Sequence, residues 1–466
     1  MEQVTEQASE QPNEQPTLGA ALPNPDGSPV APRNIEETGL DQAFLINLIA
    51  KGMYLENLEE VGQFTQATKL PDNIISGVVQ EMADRKLILA AGSSGGAGAA
   101  AAIRYQLTRD GQQLALDACN QNQYFGPAPV PLEDFQNQIR AQGIGDERIS
   151  KEDIARAFAD IVVPEEFIKR LGPAINSGHS ILIYGPAGNG KTTVAEKVAE
   201  IFASVVHIPY CFEIDGAIVK VFDPAVHKEV APAEGTAPAR PTLRRARNDR
   251  RWVACSRPVV VTGGELTLEM LDLRFNELAK FYEAPLHVKA LNGTFIIDDF
   301  GRQKVSPEEI LNRWIVPLQS RIDNLTLFSG KAFTIPFDEL VIFSTNMAPD
   351  DLMDPAFLRR IPYKLETMMP TEAAFRAIFT AVAAKQGLEL SDDIFNYVTH
   401  ELRETVQKPL AAYQPKFIVD QVISACKYEG IEPTFSKEYI DDALSNLYVQ
   451  DSSYVGQVGM GEPGSN

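Results

Sequence analysis

The chain has 466 residues, too many for a single hydrophobic core, so about two to four domains are expected. Its 63 acidic residues outnumber 42 basic ones, and the net charge of −21 opposes nonspecific binding to nucleic acid and favours protein partners. No apolar run approaches the roughly 20 residues of a membrane span. The four cysteines, Cys119, Cys211, Cys255 and Cys426, lie far apart without metal-ligand spacing, and no signal peptide precedes them, which fits a reducing cytoplasm.

In chain order, residues 1–35 are rich in Gln, Glu, Pro and Asn and read as a disordered tail. Residues 36–122 carry helix, helix, helix, strand, strand, helix. Leu40, Phe44, Leu45, Leu48 and Ile49 have helical spacing, and a third helix is expected from Asp72 to Arg85. The strands Leu87–Ala90 and Ile103–Leu107 flank the Gly/Ala/Ser tract Gly92–Ala102, and Thr108 opens a further helix. A hairpin after a third helix is the winged-helix arrangement. That third helix has one Arg against three acids and the tract has no Lys or Arg, so phosphate contacts lack donors and protein docking is favoured over DNA reading. Residues 123–150, with Pro127, Pro129 and Pro131, read as a linker.

The strongest signal follows. The run Ile181–Tyr184 reads as a buried strand, and Gly185, Pro186, Ala187, Gly188, Asn189, Gly190, Lys191 and Thr192 complete G-x-x-x-x-G-K-[ST] before an amphipathic helix that opens with Thr193. Glycines let backbone N–H groups turn inward around phosphates, and the helix N-terminus adds a favourable dipole. Lys191 is expected to reach the β- and γ-phosphates of ATP, and Thr192 to hold Mg²⁺. Val259–Val261 with Gly263-Gly264-Glu265 reads as a second strand and turn, and Phe281 and Tyr282 lie ahead of the next strand. Between the glycine-rich motif and that second strand, Arg240, Arg244, Arg245, Arg247, Arg250 and Arg251 make the one dense basic cluster, read as a solvated loop.

The strand Thr294–Ile297 ends in Asp298 and Asp299, where carboxylates at the C-terminal end of a parallel strand face the ligand crevice. Asp298 is expected to hold Mg²⁺ through water and Asp299 to polarise the attacking water. Leu340–Thr345 is another buried strand and ends in Asn346, placed to orient that water. Arg359 and Arg360 follow thirteen and fourteen residues on. After such an Asn they are candidates for arginine fingers acting across a subunit interface. The five histidines lie singly.

These features, in this order, resemble the AAA+ superfamily: Gly185–Thr192 its Walker A motif, Ile296–Asp299 its Walker B, Asn346 its sensor 1 and Phe357–Ile361 its arginine-finger box. The resemblance covers about residues 150–450. It implies an α/β, doubly wound parallel-sheet core over 151–369, a helical lid over 370–449 ahead of a flexible end at 450–466, and a ring of self-associated subunits, usually a hexamer. It also implies an adenine pocket near Ile161 and Val162, and a sensor 2 role for Lys416, where most members carry Arg. Asp299 stands where most members have Glu. A hairpin ahead of Walker B resembles the enhancer-binding activators and the MoxR-type chaperones, making Phe281 and Tyr282 either client-gripping or core aromatics. The expected activity is ATP hydrolysis coupled to remodelling of an unknown protein client. The alternatives are a DNA-associated regulator that reads through the winged helix, and an ATP-dependent scaffold with slow turnover.

Overall fold

The computed structural model describes residues 24, 27–94, 102–231, 248–352 and 354–448. The ends of the expected tails (1–23 and 450–466), most of the Gly/Ala/Ser tract, and Arg240, Arg244, Arg245 and Arg247 lie outside the described residues.

Five strands form one parallel sheet, lying side by side in the order Tyr363–Glu366, Ile181–Tyr184, Leu340–Thr345, Thr294–Ile297 and Val259–Thr262. Successive side chains of a strand point to opposite faces, and here both faces are covered. Ile181, Ile183, Ile296 and Ile342 pack with Leu171 and Val198 from helices Glu165–Asn176 and Lys191–Ile201. Leu182, Phe295, Ile297, Val341 and Phe343 pack on the other side with Ile310 and Leu311 of helix Pro307–Arg313 and with Trp314. Burial on both faces is why the three inner strands, Ile181–Tyr184, Leu340–Thr345 and Thr294–Ile297, are apolar for most of their length, while Val259 and Val261 on an edge strand are partly exposed. The fold class is therefore α/β, as expected from the sequence. The strand that comes first in the chain lies inside the sheet, and such a reversal of strand order opens a crevice at the carboxyl ends of the strands.

A second sheet contains Cys211–Ile214, Ala217–Lys220, Phe281–Glu283 and Arg274–Asn276, inserted around the Val259–Thr262 strand in chain order. A separate hairpin, Ile322–Thr326 with Ala332–Pro336, follows helix Ile315–Ser320. Residues after 370 fold into helices Glu372–Lys385, Asp392–His400, Gln414–Glu429 and Lys437–Leu447 around their own core, in which Phe375, Phe379, Val419 and Ile440 are buried.

The linker expected over 123–150 is largely ordered structure. Leu132–Ala141 is a helix whose Phe135 and Ile139, one turn apart, are buried, with Phe135 stacked on Phe212 at 5.1 Å. Its prolines precede the helix, so they mark its start and leave the polar, amphipathic segment free to fold.

The described residues up to Asn120, with 125–130 and 248–253, make a separate compact unit. Helices Gln42–Leu55, Val61–Thr68 and Asp72–Asp84 and the hairpin Ile88–Ser94 with Ala102–Leu107 pack around Leu48, Phe64, Val78 and Met82, and helix Arg109–Gln121 follows. Two expectations change here. Residues 27–35, expected in the tail, are ordered: Val30 bridges Asn248, and Asn73 donates to the Arg33 carbonyl at 2.7 Å. Arg251, expected in a solvated loop, is 3% exposed. It pairs with Asp249 at 2.8 Å and donates to the carbonyls of Thr38 and Pro129. A guanidinium that finds a carboxylate and two carbonyls can be buried where an unpaired one cannot.

Beneath the parallel sheet, Asp323 is 2% exposed. It accepts from Arg313 at 2.6 and 3.0 Å and lies 2.7 Å from Nε2 of His287. Burial would raise its carboxyl, but the His287 and Arg313 hydrogen bonds outweigh burial and hold it at about 2. A carboxyl depressed in this way adds stability that is complete above its unfolded value and is lost as pH falls towards 2. Asp323→Asn should therefore destabilise the core by about 3 kcal/mol at pH 7, because it leaves the Arg313 charge with only the exposed Asp272 carboxylate as a counter-ion. The gap to wild type should shrink steadily between about pH 5 and pH 2. Denaturant melts at pH 7, 4 and 2.5 check this, and a pH-independent gap would refute it.

Candidate functional site

The glycine-rich turn joins strand Ile181–Tyr184 to helix Lys191–Ile201 at the carboxyl end of the sheet. Two of its glycines are required by close neighbours. A Cβ on Gly185, where φ is +139°, would lie 2.3 Å from the Thr367 carbonyl oxygen. Thr367 in turn donates from both N–H and hydroxyl to the Tyr184 carbonyl. A Cβ on Gly188, at φ +77°, would meet the Tyr413 ring at 2.3 Å.

Lys191 is 7% exposed and its ammonium donates to the carbonyls of Gly185 and Pro186, each at 3.0 Å. Burial lowers its pKa below the ordinary value, while the nearby charges of Asp299 and Asp298 act against that lowering. Thr192, the next residue, donates its hydroxyl to Oδ2 of Asp298 at 2.7 Å. Residues 106 apart in sequence thus meet across the intervening strand Leu340–Thr345. Pro186 and Ala187 lie exposed on the loop, and Thr193 is exposed at the helix start.

The carboxylate-tipped strand is stitched to its neighbours at this end. Asp298 N–H donates to Thr262 O at 2.7 Å, and Phe300 N–H donates to Ser344 O at 2.7 Å. Thr345 donates its hydroxyl back to Phe300 O at 2.7 Å, which brings Asn346 beside the carboxylate turn. Asp299 is exposed and has φ +47°, a left-handed conformation that Asp tolerates better than most residues.

Of the remaining candidates, Arg359 is exposed, and Arg360 is half-buried with its guanidinium 5.4 Å from the Phe357 ring centroid. Ile161 packs against the core on the Ile181 face, and Val162 is 39% exposed. Lys416 is exposed and pairs with Asp420 at 2.7 Å, one turn along its own helix. The residue from this region that meets the glycine-rich loop is Tyr413. Its N–H donates to Gly188 O at 3.0 Å, and the neighbouring Ala412 N–H donates to Oδ1 of Asn189 at 3.3 Å. Phe281 and Tyr282 lie in a strand. Tyr282 is buried and its hydroxyl accepts from Phe328 N–H, while Phe281 meets the Tyr124 ring edge-on.

Sequence reasoning did not single out Tyr413 or Gln303. The Gln303 carboxamide oxygen accepts from Gly301 N–H at 2.8 Å, and its NH₂ donates to the carbonyls of Asp298, Asp299 and Gly263 at 3.1, 3.3 and 3.4 Å. No motif marks either position; only the Pro415 that opens the Tyr413 helix is a visible signal.

The donors around Thr192 and Asp298 are hydroxyl and carboxylate oxygens, the hard set Mg²⁺ prefers over softer nitrogen or sulfur ligands. Among the described residues no group of three or more His, Cys, Asp or Glu could hold a metal ion. No helix among them is long and apolar enough to cross a membrane.

No curated protein matches the sequence. A family profile described as a domain of unknown function (DUF8689) matches residues 371–446, the helical region after the sheet. Among solved structures, the chain is similar to Thermotoga maritima RuvB, described as a Holliday junction branch migration motor, at 16% identity and TM-score 0.31 over 67% of this chain and 74% of that one. It is similar to the P216G mutant of the same protein at 14% identity and TM-score 0.33, over 65% and 72% of the two chains. A complex between subunits BchI and BchD of magnesium chelatase matches at 17% identity and TM-score 0.34, over 62% of this chain and 95% of that one.

Proposed function

We propose that this chain is an ATP-binding and ATP-hydrolysing protein of AAA+ type that works as a ring on a protein client, in a reducing cytoplasm. The observation that carries the reading is the meeting of Lys191, Thr192, Asp298 and Asp299 at the carboxyl end of one parallel sheet. Glycine-loop N–H groups and the Lys191 ammonium bind the polyphosphate, and Thr192 and Asp298 are the residues that would hold Mg²⁺. When bound, that ion would neutralise charge on the phosphates. Asp299 accepts a proton from the attacking water as its oxygen bonds to the γ-phosphorus and the bond to the ADP oxygen breaks. Asn346, beside the same turn, orients that water. Arg359 and Arg360 complete the charge stabilisation in the neighbouring subunit's site, and Ile161 and Val162 face the adenine. Lys416 is a second cation for the γ-phosphate once it leaves Asp420.

The exposed face of helix Asp72–Asp84 presents Asp72, Asn73, Ser76, Gln80 and Asp84, and Arg85 just beyond it is tied to Glu81 at 2.6 Å. An acidic face with its cation already paired supports protein docking by this winged-helix-like unit over a phosphate backbone. Leu278 and Phe328, 85% and 83% exposed on turns of the second sheet and of the hairpin, offer apolar contact to a client in place of Phe281 and Tyr282.

The ring is tested by ATPase rate against protein concentration. The rate per subunit should rise with concentration, and Arg359→Ala should lower it by about 10³-fold without weakening nucleotide binding. A rate per subunit that stays constant on dilution to the monomer would remove the ring from the mechanism.

A further inference from the structure

We infer that Gln303 is a positioning residue for ATP hydrolysis, acting through the backbone of Asp299; this rests on the proposed role of Asp299 as the group that takes the proton from water. The turn after strand Thr294–Ile297 has to do two opposed things. It must end a strand whose last residue, Ile297, is fully buried, and it must present an exposed carboxylate from a residue with φ +47°. A non-glycine residue in that conformation costs roughly 1–2 kcal/mol, so the surrounding structure has to hold it there.

The Gln303 side chain is placed to do so. Its NH₂ reaches the carbonyls of Asp298 and Asp299, the two peptide units that flank the left-handed residue, and also the Gly263 carbonyl at the end of the neighbouring strand. Its oxygen takes Gly301 N–H, so the carboxamide spans the turn from both sides. One half-buried side chain therefore fixes the Asp299 peptide against the strand Val259–Thr262, while Phe300 and Thr345 fix the other side against Leu340–Thr345. Gly301 closes the fit: at φ +103°, a Cβ there would meet the Met347 sulfur at 2.8 Å and a Leu352 methyl at 2.7 Å. The hydrogen bonds of the Gln303 carboxamide go to this backbone and not to the glycine-rich loop. Its effect on chemistry passes through where the Asp299 carboxylate points, and small misplacements of a reacting group are costly to rate.

The test is Gln303→Met, which keeps length and volume and removes every hydrogen bond. Turnover should fall by about 10- to 100-fold, with KM and the affinity for a non-hydrolysable ATP analogue within about twofold of wild type. In an Asp299→Asn background the same substitution should produce no further loss, because the group it positions is gone. Full turnover in Gln303→Met, alongside loss in Asp299→Asn, overturns this inference and leaves the proposed function standing. The inference also falls if Gln303→Met loses nucleotide binding or thermal stability in proportion to its activity, which would mark it as a structural residue only. A wild-type chain that binds ATP without hydrolysing it removes the proposed function, and this inference with it.

Discussion

Lys191→Ala is expected to abolish measurable ATP binding, weakening affinity on the order of 10³-fold, because one pair of charges about 4 Å apart is worth roughly 4 kcal/mol at the effective dielectric of a protein surface. The Lys191 ammonium is the cation set among Asp298, Asp299 and the loop carbonyls of Gly185 and Pro186. Without it, the incoming polyphosphate meets two carboxylates and no compensating charge from the loop. The fold should survive the change, because the amine is satisfied by carbonyls that can turn to water and because burial already disfavours its charged form. Calorimetric titration with ATP and Mg²⁺, with a thermal melt as control, checks it. An affinity within about threefold of wild type, on a protein that melts normally, would mean the glycine-rich loop is not the phosphate site.

Asp299→Asn should separate binding from turnover: ATP affinity within about twofold of wild type, and kcat lower by about 10²- to 10⁴-fold, the range lost with a general base. Asn is the informative replacement because it, too, tolerates the left-handed backbone that Asp299 adopts. Ala would add backbone strain at φ +47° and mix the two effects. Thr192 and Asp298 stay joined in this variant, so the proposed Mg²⁺ ligands are intact. Steady-state phosphate release beside analogue binding gives both quantities. Turnover within about threefold of wild type would assign proton acceptance elsewhere. Equally slow turnover in wild type and variant would support the reading of a nucleotide-dependent scaffold.

Much of the sheet is legible in the sequence because strands buried on both faces leave an unambiguous trace. Ile181–Tyr184, Thr294–Ile297 and Leu340–Thr345 are apolar for most of their length, and each is followed directly by residues of the candidate site. The linker reading of 123–150 failed for a different reason. Phe135 and Ile139 bury a narrow stripe on a helix that is polar elsewhere, and the ring Phe135 stacks on, Phe212, is 77 residues away in the chain. Arg251 misled in the same way. Among a run of arginines it reads as solvated, and only its distant partners at Thr38 and Pro129 show that it is buried.

The sequence by itself determined the local chemistry: a glycine turn before a helix, a lysine and a threonine at its end, and paired carboxylates closing an apolar strand. These follow from short-range rules of backbone freedom, helix dipole and side-chain periodicity, which need no knowledge of the rest of the chain. Only the tertiary structure decided that Thr192 meets Asp298 across an intervening strand, that Tyr413 rests on Gly188, and that Gln303 holds the Asp299 turn. Those contacts depend on strand order and on the return of distant segments, and strand order is set by how the whole chain buries its two sheet faces at once.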